Sequence, residues 1–318
     1  MQPSCKCGRA AKKGGRMINE RIIIDTDIGD DIDDAFAIAY AVKSGLLIEG
    51  ITTVFRNSEK RAKIAKALLR IFGREDITVC AGTDTPLVAP VRAMDKDSYS
   101  ADGKFIPCQY RDEMDSEVFD ERHAVDFIIE KANEFPGEIT LVAIGPLTNV
   151  ALAIRKAPDI IKKLKGITVM GGYFTCNKPE WNILCDPEAA RIVFSSDIPL
   201  RAVGLDVTLK CRLEKPLLEK LRTASDSSSE LLFSMMDQWF RHYEFECPVL
   251  HDPLTIGTIV CNSFVIFEEQ PVLVMLDRDQ YGITAVKEDT AEYGCRKIWV
   301  AVSVDPDSYL NDFIRKVF

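Results

Sequence analysis

Histidine is scarce in this chain, with three in 318 residues, and the ten cysteines contain no paired C-x-x-C. Finger-type zinc sites and thioredoxin-type redox motifs are therefore excluded as its organising chemistry. The cysteines are scattered, several in apolar settings such as Thr78-Val-Cys80 and Ile259-Val-Cys261. They read as free thiols of a reducing compartment, the cytoplasm. No apolar run approaches the roughly 20 residues that cross a bilayer, so no membrane partner is expected. Acidic residues outnumber basic ones, leaving a formal net charge of -9. That balance argues against a sequence-independent nucleic-acid surface. Internal repeats are lacking too, and no linker breaks the chain after residue 18.

What is present is a globular composition, 47% hydrophobic and 28% charged, on a chain long enough to bury a sizeable core. Residues 1–17 stand apart: Lys6, Arg9, Lys12, Lys13 and Arg16 are unopposed by any acid. No apolar h-region follows them, which excludes a secretory signal; a transit peptide is the alternative to the basic, disordered tail expected here. The expectation is one folded domain over residues 18–318.

Beyond the tail, apolar runs of strand length alternate with helical patterns. Strands are expected at Ile22–Ile24, Ile48–Phe55, Thr78–Ala81, Ile139–Ile144, Ile167–Met170 and Leu200–Leu205. Between them fall helices from Asp34, over Ser58–Phe72, over 116–135, from Thr148, and from Asp186-Pro-Glu188, where Asp is a good N-cap and Pro suits the first position. Later come helices over 214–224 and 228–243, another from His251, strands within Val272–Ser303, and a closing helix over Ser308–Val317. The alternation predicts an α/β protein: a largely parallel central sheet flanked by helices, with a Rossmann-like core. Ligands in such sheets bind beyond the carboxyl ends of the strands. The stretch from Gly82 to Asp115 is too long for a simple connector and is a candidate active-site loop.

One segment dominates the chemistry. Asp25, Asp27, Asp30, Asp31, Asp33 and Asp34 crowd the turn between the Ile22–Ile24 strand and the helix that follows, with Gly29 permitting a tight backbone. So many carboxylates at one turn repel one another unless protons or a cation neutralise them. Oxygen ligands without nearby His or Cys favour hard ions, Ca²⁺ or Mg²⁺. An EF-hand is excluded, because counting from Asp25 the sixth position is Asp30 rather than Gly and the twelfth is Phe36 rather than Glu. The spacing of Asp25 and Asp27 suits a haloacid-dehalogenase-type phosphatase, although Gly29 stands where that reading wants a small hydroxyl residue.

The segment resembles the aspartate cluster of the inosine–uridine preferring nucleoside hydrolase family. Further landmarks follow in the same order: Ile51-Thr-Thr-Val-Phe-Arg-Asn57, Ala81-Gly-Thr-Asp-Thr-Pro-Leu87, Leu141-Val-Ala-Ile-Gly-Pro-Leu-Thr-Asn149, Val169-Met-Gly-Gly-Tyr-Phe-Thr-Cys-Asn177, Glu180-Trp-Asn182, Asp186-Pro-Glu-Ala-Ala190 and His251-Asp252. The resemblance implies a Ca²⁺-dependent hydrolysis of the N-glycosidic bond of a small-molecule ribonucleoside to ribose and free base, by a homodimer or homotetramer. It implies that Asp27, Asp34, Asp252 and the carbonyl of Ile144 hold the metal, with Asp27 also taking a proton from the attacking water. Asn57, Asn177, Glu180 and Asn182 would grip the ribose. Two residues more than the family's usual spacing follow Gly29, so Asp31 and Asp33 compete for a further ribose contact. Arg56 stands where the family commonly has glycine, and the long loop lacks the histidine often found there.

His251 is the candidate for protonating the departing base, an imidazole of near-neutral pKa at a loop-to-helix junction. Its presence tilts the expected substrates toward inosine and uridine or cytidine. Trp239 and Tyr243, one helical turn apart, could flank the base or pack in the core. His123 and His242 read as structural. Two other readings stay open: a catalytically weak ribonucleoside-binding protein, and the phosphatase.

Overall fold

Ile22, Ile23 and Ile24 are wholly shielded from solvent, as in a strand covered on both faces. They form β1 (Arg21–Thr26), an interior strand of a computed structural model that describes residues 20–222, 227–287 and 295–318. The basic segment 1–17 lies outside the described residues, as does the expected helix end at 223–224. From β1 the chain passes to α1 (Asp33–Lys43), β2 (Leu47–Thr53), α2 (Ser58–Ile71) and β3 (Val79–Ala81). The long polar stretch after β3 holds a small antiparallel hairpin, β4 (Ser98–Tyr99) with β5 (Phe105–Ile106). Then come α3 (Ala124–Glu134), β6 (Ile139–Ala143), α4 (Thr148–Lys156), β7 (Gly166–Met170), α5 (Trp181–Cys185), α6 (Pro187–Phe194), β8 (Leu200–Val203) and α7 (Leu205–Thr208). Last are α8 (Lys215–Leu221), α9 (Ser227–His242), α10 (His251–Val260), β9 (Val265–Val274), β10 (Thr284–Val286), β11 (Arg296–Val304) and α11 (Pro306–Val317).

Nine strands join in the order β10-β9-β11-β8-β7-β6-β1-β2-β3. Pairing is parallel from β11 through to β3, while β9 runs antiparallel to both of its neighbours. The sheet is mixed and mostly parallel, as the alternating pattern predicts. Side chains alternate across it: Ile22 and Ile24 join the core under α1, α2, α9, α10 and α11, whereas Ile23 joins the core under α3, α4 and α6. Two helical layers therefore sandwich the sheet. From β1 the chain builds outward through β2 and β3, then returns to place β6 on the other side of β1. This reversal opens a crevice beyond the carboxyl ends of β1 and β6, where the aspartate turn lies.

Several boundaries differ from the sequence reading, among them the strand expected to reach Phe55, which ends at Thr53. The helix expected from residue 116 starts at Ala124, because the chain before it runs alongside β3, with Asp120 N donating to Val79 O at 2.8 Å. His123 then caps α3 through its Nδ1, which accepts from Val125 N. The strand expected to reach Leu205 stops at Val203, and Leu205 opens α7. Strand structure in the tail begins at Val265, ahead of Val272. No helix among the described residues is long and apolar enough to cross a membrane.

Candidate active site and carboxylate metal centre

The turn between β1 and α1 is held from several sides. Thr26 Oγ1 donates to Asp34 Oδ1 and accepts from Ile28 N at 3.1 Å. Gly29 has φ +126°, and a Cβ there would lie 2.7 Å from side-chain atoms of Ile64 and Pro107. No other residue type fits that position without movement. From the long loop, Gln109 N donates to Gly29 O at 2.9 Å and Gln109 Nε2 to Asp31 O at 2.7 Å. Behind the turn is Arg61, fully buried in α2. Its Nη2 pairs with Asp30 Oδ2 at 2.8 Å, its Nε donates to Phe55 O at 2.8 Å, and its Nη1 donates to the carbonyls of Asp27 and Ile28.

In front of the turn is a cavity of about 310 Å³. Its polar lining includes Asp27, Asp30, Asp31, Asp33, Asp34, Glu180 and Asp252. Asp33, Asp34 and Asp252 each offer a carboxylate oxygen within 4.8 Å of the others. Asp252 opens α10, and its N donates to Asp33 Oδ2 at 3.1 Å, which ties the two distant segments together. Burial, then repulsion from neighbouring carboxylates (Asp31 on Asp33, Asp27 on Asp34, Asp33 on Asp252), pushes all three carboxyls well above their usual range. Burial likewise raises Asp27 and Asp31 to about 6 and Glu180 to about 7. Of these seven carboxylates only Asp30 pairs with a guanidinium, that of Arg61 at 2.8 Å with Arg56 3.9 Å away, and the remaining excess is one that protons or a divalent cation must offset. The all-oxygen donor set fits a hard ion. Asp33, Asp34 and Asp252 form a divalent-cation site of the calcium type.

Of the four expected metal ligands, Asp34 and Asp252 belong to that threesome, while Asp27 and Ile144 line the same cavity beside it. Asp33, expected to compete for a ribose contact, belongs to the cation cluster; Asp31 remains on the cavity wall. Asp27 Oδ1 is packed where a Cβ on Gly145 would sit, 2.8 Å away. The carbonyl of Ile144 accepts from Asn182 Nδ2 at 3.0 Å and keeps a second lone pair. Asp25, fully buried behind the site, accepts from Thr52 Oγ1 and Asn149 Nδ2, and burial raises it to about 7.

Glu180 lines the cavity and also caps α5, accepting from Asn182 N at 2.9 Å and Ile183 N at 3.1 Å. Asn182 is on the wall as well. Asn57 and Asn177 are not. Asn57 caps α2 by accepting from Lys60 N, and its Nδ2 donates to Phe105 O at 2.7 Å. Asn177 is exposed on the loop after β7.

His251 lines the cavity with Nδ1 2.7 Å from Thr208 Oγ1, leaving Nε2 for a ligand. Burial pushes its pKa down to about 4, so near neutrality the ring is an uncharged hydrogen-bonding group. The near-neutral value expected from the sequence is corrected by that desolvation. The cavity also has aromatic walls: Trp239, Tyr243, Phe245 and Trp181 line it, with Trp239 and Phe245 stacked at 5.2 Å. Among the described residues the buried indole N–H of Trp239 has no acceptor.

Arg61, Gln109 and Thr208 escape a reading of sequence alone. Arg61 had one legible signal: it shares the buried row of α2 with Ala62, Ala65 and Leu68, where a cation is out of place.

Fold and site together define an α/β enzyme whose carboxylate cation centre adjoins an aromatic pocket. The sequence profile of the inosine-uridine preferring nucleoside hydrolases matches residues 22–311. A probable uridine nucleosidase 2 of Arabidopsis thaliana is 32% identical over 310 residues, covering 90% of this chain and 94% of that protein. Among solved structures, a plant nucleoside hydrolase superposes with a TM-score of 0.81 at 31% identity, over 94% of this chain and 98% of that one. A purine-preferring ribonucleoside hydrolase from Gardnerella vaginalis gives 0.81 at 27% identity, with the same coverage. The chain belongs to the inosine-uridine preferring nucleoside hydrolase family. It is a ribonucleoside N-glycosidase.

Proposed function

We propose that the protein hydrolyses ribonucleosides of the inosine and uridine type in a Ca²⁺-dependent reaction, releasing ribose and free base. The observation that carries this reading is the meeting, in one cavity, of the Asp33–Asp34–Asp252 centre, Asp27 and His251 at the carboxyl ends of β1 and β6. With Asp27 and the Ile144 carbonyl beside them, these carboxylates would hold the ion. Bound there, calcium supplies positive charge that lowers the pKa of water and grips sugar hydroxyls.

The chain's own residues account for the rest. Asp27 takes the proton of the attacking water as its oxygen bonds to the anomeric carbon. The bond from that carbon to the base breaks through an oxocarbenium-like state, the electron pair leaving with the base. The protonated fraction of His251, with Nδ1–H donating to Thr208 Oγ1, gives its Nε2 proton to the base nitrogen and is left as the neutral ring, which regains a proton from solvent. Glu180 and Asp31 offer negative charge to the developing sugar cation. Asn182 completes the ribose grip from the cavity wall. Asn57 supports it from behind, through α2 and Phe105, while Asn177 would act from the exposed loop. The base lies against the aromatic walls, where Trp239 and Tyr243 offer stacking faces. Residence in the cytoplasm, as a homodimer or homotetramer, completes the reading; it is supported by the family and by eight described cysteines that are all free.

The test is a panel of purine and pyrimidine ribonucleosides, with calcium or with chelator, read as reducing sugar. Ribose from inosine and uridine, lost on chelation, is expected. Calcium and ribose binding without release of any base would replace the hydrolase with a binding protein. Phosphate release from a phosphorylated substrate would favour a phosphatase.

A further inference from the structure

At the end of β2, two successive residues that are not glycine, Phe55 and Arg56, hold φ of +73° and +66°. Side chains disfavour this region, and such a turn persists only where its surroundings hold it. The backbone is tied to the start of the long loop, Phe55 N donating to Thr83 O at 2.8 Å and Arg56 N to Asp84 O at 2.6 Å. The Arg56 side chain points back into that loop. Its guanidinium forms a two-pronged ion pair with Asp97, with Nη1 3.0 Å from Oδ1 and Nη2 on Oδ2. Nε donates to Arg92 O at 3.1 Å, and the guanidinium carbon lies 3.9 Å from the centre of the Phe105 ring. Both partners are buried, their side chains 2% and 3% exposed.

Asp97 passes the constraint onward. Its Oδ2 accepts from Met94 N at 2.6 Å. Met94 is a wall of the cavity, and Tyr243 Oη, on an aromatic wall, lies 3.8 Å from its sulfur. Lys96 also pairs with Glu244 at 3.1 Å. The segment 92–97 is thus a strap, anchored on Arg56 at one side and on the chain just after α9 at the other. We propose that Arg56 is a positioning residue that fixes this strap, sets Met94 against Tyr243, and so determines which nucleobase the aromatic walls accept. The inference rests on the base lying against those walls.

The planar fork matters more than the charge here, since only a guanidinium reaches both carboxylate oxygens. Arg56→Lys keeps a cation near Asp30, whose Oδ2 is 3.9 Å from Arg56 Nη1, while losing the fork. Steady-state kinetics on inosine, guanosine, uridine and cytidine would compare the wild type with Arg56→Lys, Met94→Ala and the double variant. Arg56→Lys should raise KM about tenfold, as the loss of pocket contacts does, with kcat within about threefold. Met94→Ala should move the purine-to-pyrimidine preference in the same direction, and adding Arg56→Lys to it should change KM no further. Additive effects on KM, or kcat falling at constant KM, would overturn the proposal. If Arg56→Lys does not fold, Met94→Ala decides alone: an unchanged KM and base preference sinks the idea. A wild type that releases no ribose refutes the substrate reading instead, and the strap is then tested by nucleoside binding to the same variants.

Discussion

Arg61 Nη2 lies 2.8 Å from Asp30 Oδ2, and the guanidinium that makes this pair also holds the carbonyls of Asp27 and Ile28. One buried cation therefore secures both a carboxylate of the cation turn and the backbone that carries Asp27. Removing it leaves Asp30 only Arg56, 3.9 Å away, and takes the donor from three carbonyls, those of Asp27, Ile28 and Phe55. Arg61→Met, similar in length and apolar, should destabilise the protein by ~3–5 kcal/mol, the range for breaking one side of a buried pair. The urea midpoint at unchanged slope measures it. A loss under ~1 kcal/mol, typical of an exposed pair, would show that the clamp is dispensable.

Charge in the cavity makes stability depend on pH in an uncommon direction. Asp25, Asp27, Asp31 and Glu180 have folded pKa values of about 6 to 7, above the ordinary 3.8 to 4.5. Between those values the folded chain binds more protons than the unfolded one, so stability falls as pH rises. Metal-free protein should thus melt at a higher temperature at pH 5.5 than at pH 7.5. His251 opposes this between its ordinary 6.5 and about 4, one group against several. Calcium, which binds the ionised carboxylates, should raise the melting temperature most at pH 7.5. A chelated protein that melts lower at pH 5.5 than at 7.5 would contradict the assignment.

How much of this was legible before the fold was known differs from residue to residue. The aspartate turn could be read because its six acids fall within ten residues, set between a buried strand and a helix. The parallel sheet followed from the alternation of short apolar runs with helical ones. Asp252 was found only by resemblance, since no local pattern links it to Asp33, 219 positions away. Arg61 was missed for the same reason: its partner Asp30 is 31 positions distant. Asn57 shows the opposite difficulty. A polar residue after a strand suggests a ligand contact, yet its side chain caps α2 and holds Phe105. Capping and binding use the same side chains, and only tertiary placement separates them.

His251 and Thr208 act as a pair if the imidazole serves the leaving group. With Nδ1 engaged at 2.7 Å, Thr208 selects which nitrogen faces the base. His251→Ala should slow inosine hydrolysis by ~10²–10⁴-fold, the usual contribution of a positioned acid. An activated nitrophenyl riboside, which leaves without a proton, should be slowed far less. Thr208→Val should show the same substrate dependence at smaller size. Equal losses on both substrates would remove His251 from the leaving-group role.

Gly145 gives a test of how closely Asp27 must be placed. It follows Ile144 at the end of β6, and a Cβ there would sit 2.8 Å from Asp27 Oδ1, 2.9 Å from Asp27 N and 3.0 Å from Val54 Cγ1. Two of these atoms belong to the residue assigned as base, and one is backbone, so relief requires moving Asp27 itself. A displacement on the order of 1 Å costs about a hundredfold in rate when it disturbs a reacting group. Gly145→Ala should therefore lower kcat about a hundredfold while the chain still folds. Gly73→Ala is the matched control: its φ of +64° strains any side chain, but nothing lies within 4 Å of the added Cβ. It should cost ~1 kcal/mol of stability and leave kcat alone. If Gly145→Ala behaves like Gly73→Ala, losing stability but not turnover, then Asp27 tolerates displacement and another residue must accept the proton.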